Sequence, residues 1–106
     1  MKVRVSFLST LKQGWDGYNA LPVSNQVIIN INAFLAQINN KDLMGWRMLP
    51  EINGTISLQN DALRAGIQIG DSLFSYFVIS GNKVKGDENL PFAIPTIINV
   101  LREING

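Results

Sequence analysis

Between residues 47 and 86 the apolar side chains recur at every second position, and the pattern is interrupted by Asn53-Gly54, Asn60-Asp61, Gly70-Asp71 and Gly81-Asn82. A period of two belongs to pleated strands, and gaps this short join only antiparallel neighbours, because a parallel crossover needs about a dozen residues or more. The spacing therefore predicts strands over 47–52, 55–59, 63–69, 73–80 and 83–85, the last fading at Gly86. Pro50 cannot donate to a ladder and assigns the first strand to an edge. Asn53-Gly54 reads as a two-residue hairpin turn. In the third strand Ala65, Ile67 and Ile69 alternate with Arg64, Gly66 and Gln68.

The strand over 73–80 departs from clean alternation. Phe74, Tyr76 and Val78 point one way and Leu73, Phe77 and Ile79 the other, so both of its faces are apolar. An antiparallel sheet with one wet face does not have this composition. Either the strand is central and covered twice, or a partner covers its second face.

Outside this region the apolar period is helical. Val3, Phe7, Leu8 and Leu11 predict a short first helix ending near Gly14. Leu21-Pro22-Val23 is extended, since the residue before proline is pushed out of the helical region, and Ser24 occupies an N-cap position. Val27, Ile28, Ile31, Phe34, Leu35 and Ile38 then form the apolar stripe of a second helix that Asn39-Asn40 ends, with a loop over 41–45. After an acidic loop, Asp87-Glu88-Asn89, a last helix carries Ile94, Ile97, Ile98, Leu101 and Ile104, with Pro95 in its first turn. The resulting expectation is one α+β domain over 1–106, two layers in the order α-α-β-β-β-β-β-α, with an antiparallel meander and the helices packed on one face.

Gly14-Trp15-Asp16-Gly17-Tyr18-Asn19-Ala20 lies between the first two helical patterns. Asp-Gly supplies a side-chain acceptor and a permissive backbone for a sharp reversal, and the flanking aromatics anchor such a loop by burying their rings. Trp15 is expected to pin the first two helices against the sheet, with Trp15→Ala costing about 3–5 kcal/mol.

The chain has no cysteine and no histidine, which removes thiolate and imidazole metal sites, Ser-His-Asp and Cys-His nucleophile systems, and an imidazole base. Its 9 basic and 8 acidic residues leave a net charge of +1, and the cations form no run, which weakens the case for nucleic acid. Arg4 interrupts the first apolar stretch, so a signal peptide is not expected, nor is a membrane span; a cytoplasmic location follows as the default. Charged residues make up only 16% of the chain, which makes self-association plausible.

Three functional readings are available. Asp16 with Glu51, Asp87 or Glu88 could form an all-oxygen Mg²⁺ site for a hydrolase, although Asp16 equally serves as the turn's own acceptor. A sheet face bearing Thr55, Ser57, Gln59, Arg64 and Gln68, with either Phe74 and Tyr76 or Ser75 and Phe77, could stack single-stranded bases, aided by Lys83 and Lys85. The third reading is a protein-interaction module. The glycines match no phosphate-cradling pattern and no cofactor is expected.

The segments Trp15-Asp16-Gly17-Tyr18-Asn19-Ala20-Leu21-Pro22 and Leu49-Pro50-Glu51-Ile52-Asn53-Gly54-Thr55-Ile56-Ser57-Leu58 resemble those of a widespread family of small, largely uncharacterised bacterial and phage-borne proteins. In that family a Trp-Asp-Gly-x-x-Ala-x-Pro corner precedes a helix and a Pro-x-x-(Asp/Asn)-Gly hairpin leads into a sheet. Gln59 and Asn60 stand where the family often has a Glu-Trp pair. The resemblance covers roughly the first 60 residues and implies a small α+β domain; members occur near mobile elements and toxin–antitoxin-like loci, which implies an accessory binding protein.

The preferred expectation is a non-enzymatic interaction module, a homodimer or an antitoxin-like partner. Its candidate surface comprises Trp15, Asp16, Tyr18, Arg64, Gln68, Phe74, Tyr76 and Val78.

Overall fold

In the computed structural model, which describes Met1–Gly106, five strands form one antiparallel meander: β1 (Arg47–Pro50), β2 (Ile56–Asn60), β3 (Ala65–Ile69), β4 (Leu73–Ser80) and β5 (Lys83–Pro91). The strands are neighbours in chain order, as short turns between period-two segments require. Three helices, α1 (Lys2–Leu8), α2 (Asn25–Leu35) and α3 (Ile94–Asn105), complete the α+β order that the sequence predicts.

The helices meet the sheet through Met48, Ile56, Leu58, Ala65, Ile67, Ile69 and Phe74, all buried, against Val5, Leu8, Val27, Ile31, Phe34, Ile97 and Leu101. Cross-strand pairs Met48↔Leu58, Leu58↔Ile67 and Ile69↔Phe74 put these side chains on one face. Asn30 and Asn60 are the polar side chains buried with this interior. Asn30 of α2 donates to the carbonyls of Gly70 and Asp71 at 2.9 and 2.8 Å, fastening the helix to the β3–β4 turn.

Several boundaries differ from the sequence expectation. The first helix stops at Leu8 because Ser9 and Thr10 turn their hydroxyls back onto the carbonyls of Ser6 and Phe7, both at 2.7 Å, and offer the chain an alternative to the next helical turn. Residues 41–43, expected as loop, belong to a single 3₁₀ turn over Asn40–Leu43, with Asp42 Oδ2 accepting from the Asn39 N–H. At the first hairpin Gly54 alone takes the left-handed conformation (φ 86°), while the Gly54 N–H bonds to Glu51 and Glu51 N–H to Thr55. Asn53-Gly54 is thus the end of a three-residue loop with a bulge rather than a two-residue turn.

The largest correction concerns β5, which continues to Pro91 through residues expected as an acidic loop. Pairing with the long β4 holds Asp87 opposite Tyr76 and Leu90 opposite Phe74. The two residues between, against Ser75 alone, form a bulge in which Asn89 takes φ 55° and its N–H bonds to Ser75 Oγ.

Candidate interaction surface

The Trp15 corner is a closed loop held by its own polar groups. Asp16 Oδ1 accepts the N–H groups of Tyr18 and Ala20 at 2.9 and 3.2 Å, and the Gly14 N–H bonds to Ala20 O at 2.7 Å. Trp15 Nε1 donates to Leu21 O at 2.8 Å, and from there the Leu21 and Ser24 N–H groups reach Ile52 O and Gly54 O. The corner therefore buttresses the β1–β2 hairpin, and a side chain at Gly54 would meet Pro22 O at 3.1 Å. Trp15 itself is half-buried and lies outside the main apolar cluster, contrary to the expectation of a wedged ring. Tyr18 is 84% exposed and anchors nothing.

The buried tryptophan of the core is Trp46 rather than Trp15. It is 6% exposed within the core, and its Nε1 donates to Asn105 Oδ1 at 2.8 Å, while Asn105 Nδ2 donates to Asp42 O at 2.9 Å. Arg102 and Asp42 add an ion pair at 3.6 Å. This latch ties the end of α3 to the 3₁₀ turn and β1. Its signal was the alternation Trp46, Met48: extending the first strand one residue backwards puts the indole in phase with the core.

The sheet brings the remaining candidate residues to opposite faces. Phe74 is buried against the helices, and Tyr76 and Val78 pack against the edge of the same core, so all three lie on the helix-covered face of the sheet. Their register explains it: Phe74 and Tyr76 pair with Ile69 and Ile67, whose side chains face the helices. Tyr76 and Val78 remain half-buried, lining a cleft of ≈ 170 Å³ with Val100 and Glu103 of α3 and with Lys85. Gln68 pairs with Ser75 on the other face, and Arg64 lies in the β2–β3 turn with φ 52°. The set comprising Arg64, Gln68, Phe74, Tyr76 and Val78 is thus not one surface.

The helix-free face divides into two halves. Across β1, β2 and β3 its polar groups engage one another: Ser57 Oγ donates to Glu51 Oε1 at 2.7 Å, Gln68 Nε2 to Thr55 Oγ1 at 2.8 Å, and Arg47 pairs with Asp61 at 3.1 Å. Across β4 and β5 it carries Leu73, Phe77, Ile79 and Val84, with Ser75 and Glu88 on the same side. Leu73 and Phe77 are 42% and 43% exposed and Val84 is 70% exposed, with Ile79 half-buried beside it. Phe77 pairs with Gly66 and with Gly86, and its ring lies over Gly66, where an added Cβ would come within 2.5 Å of Cε1.

Of the carboxylates considered for a metal site, Asp16 lies in the corner bonded to its own turn, Glu51 accepts from Ser57, and Asp87 and Glu88 are neighbours on β5, where Asp87 Oδ1 accepts the Glu88 N–H at 2.9 Å. Nowhere do three or more acidic side chains converge. No helix is long and apolar enough to cross a membrane. Comparison with protein-family models, with curated proteins and with solved structures finds no match.

Proposed function

We propose that this chain is a non-enzymatic protein-interaction module that associates with a second copy of itself through the β4–β5 side of its sheet, in an antitoxin-like or mobile-element accessory role. The observation that carries this reading is the uncovered apolar row of Leu73, Phe77, Ile79 and Val84. The helices cover one face of β4, whereas this row is apolar and open beside a polar half whose groups already satisfy one another. Exposed apolar side chains grouped in this way favour association, and their position on the last two strands points to that side.

Sedimentation equilibrium from micromolar to millimolar concentration tests the reading, with Val84→Asp as the perturbed chain. Val84 is largely solvated, so the substitution leaves the monomer's fold unchanged by circular dichroism. A carboxylate there opposes both apolar contact and strand pairing with the neighbouring acidic residues. The expected result is a dimeric parent and a monomeric variant. A parent chain that stays monomeric throughout overturns the proposal.

A further inference from the structure

We infer that β5 is a pairing edge for the same strand of a second copy, antiparallel about a two-fold axis through Gly86. The inference rests on the self-association proposed above and specifies its geometry.

The two edges of the sheet are finished differently. At β1, Pro50 has no N–H to offer, and the Arg4 side chain reaches across from α1 to donate through Nε to Met48 O at 3.0 Å. At β5 residues 83–89 are all exposed and no helix or loop lies along the strand's outer side. A nine-residue edge left in this state offers main-chain donors and acceptors to another strand.

Its register for doing so follows from the hairpin. Gly81-Asn82 is a two-residue turn closed by the pair Ser80↔Lys83. Such a closing pair is hydrogen-bonded, and bonding alternates along an antiparallel ladder, so Lys83, Lys85 and Asp87 direct their main-chain groups at β4. Val84, Gly86 and Glu88 direct theirs outward. A two-fold axis at Gly86 sets Val84 opposite Glu88 of the second copy and Gly86 opposite itself, so every outward residue meets an outward residue, with about six main-chain hydrogen bonds formed.

The same register sets Lys85 opposite Asp87 twice, on the helix side of both sheets. The charges of the strand are segregated, Lys83 and Lys85 before Gly86 and Asp87 and Glu88 after it. Charges that only guard an edge need no such order; this order makes the strand complementary to itself when reversed. Gly86 admits close approach at the axis, and its own site demands glycine, since a Cβ there would collide with Tyr76 O. In the monomer Asp87 Oδ1 holds the Glu88 N–H; pairing transfers that N–H to the Val84 carbonyl of the second copy and frees Asp87 for Lys85.

The test is charge reversal with register-specific cross-linking, on the full chain. Lys85→Glu makes both symmetric pairs repulsive and is expected to raise the dimer dissociation constant about tenfold, and the double variant Lys85→Glu with Asp87→Lys is expected to restore it. The parent chain has no cysteine. An equal mixture of Lys85→Cys and Asp87→Cys chains is therefore expected to give a disulfide-linked dimer on mild oxidation, while each variant alone gives little. A parent dimer that is indifferent to Lys85→Glu and yields no mixed cross-link overturns the edge pairing and leaves self-association intact. A parent that is monomeric at every concentration overturns both.

Discussion

The two tryptophans should differ sharply in what they contribute to stability, and the difference tests where the helical layer is fastened. Trp46 is 6% exposed and belongs to the main apolar cluster, so Trp46→Ala removes a fully packed indole and leaves a cavity among β1, α3 and their neighbours. Truncations of this kind cost about 3–5 kcal/mol. Its Nε1 bond to Asn105 adds little to that figure, because Asn105 is exposed and water replaces the lost donor. Trp15 is half-buried outside that cluster, and its one polar contact is the 2.8 Å bond to Leu21 O. A hydrogen bond of this type contributes about 1 kcal/mol and a partly covered ring about as much again, so Trp15→Ala should cost about 1–2 kcal/mol. Urea titrations followed by far-UV circular dichroism compare the two without relying on indole fluorescence. For a domain this size each kcal/mol is worth about 4–8 °C in Tm, so thermal scans separate the variants equally well. A Trp15→Ala loss equal to or above that of Trp46→Ala would refute the assignment of the α3 latch as the main fastening and return that role to the corner.

Two glycines of the last three strands should respond unequally to alanine. At Gly86 the new Cβ collides with the main chain of β4 at Tyr76, which cannot move without breaking the pairing, so Gly86→Ala should cost at least about 2–3 kcal/mol; at Gly66 it meets only the half-exposed Phe77 ring, which can swing outward at a cost of about 1 kcal/mol. Chemical denaturation of both variants checks the order, and equal losses would contradict it. Asn30→Ala leaves the Gly70 and Asp71 carbonyls without their donor and should cost about 2–3 kcal/mol, with faster amide exchange in the β3–β4 turn as a local signature.

The meander was legible because its signals are local. Ala65, Ile67 and Ile69 alternate without exception and the turn residues lie where the chain reverses, so neither strand order nor the edge position of Pro50 needed tertiary information. The continuation of β5 was not legible, since Gly86, Asp87, Glu88 and Asn89 are poor strand formers held in the sheet by their partners on β4. The phase of β4 was hidden for a different reason. Both rows of that strand are apolar, and only its register against Ile67 and Ile69 decides that Phe74 goes inward and Phe77 outward. Trp15 and Trp46 were exchanged in importance because the Trp15 corner carries a conspicuous turn signature, whereas Trp46 is marked only by being in phase with Met48.

The distribution of fastenings leaves the β5 edge the least tied part of the sheet. The end of the sheet that holds the β1–β2 and β3–β4 turns is stitched to the helical layer by Leu21 to Ile52, Ser24 to Gly54 and Asp71, and Asn30 to Gly70 and Asp71. The β1 edge is closed by Arg4 and Pro50, and the start of β1 by the Trp46 latch. None of these reaches residues 83–89, whose only neighbour in the sheet is β4. A strand held on one side alone is the part of a domain whose opening costs least, and it is where added main-chain pairing stabilises most. The apolar row beside it has the same geometry: Phe77 and Val84 are uncovered because no helix crosses to that face, and they flank the strand that a second copy would extend. The β5 edge thus combines open main-chain groups with self-complementary charge, and the pairing inferred above would satisfy both, whereas Leu73 and Phe77 of β4 project from the sheet face and would stay uncovered by an in-plane extension.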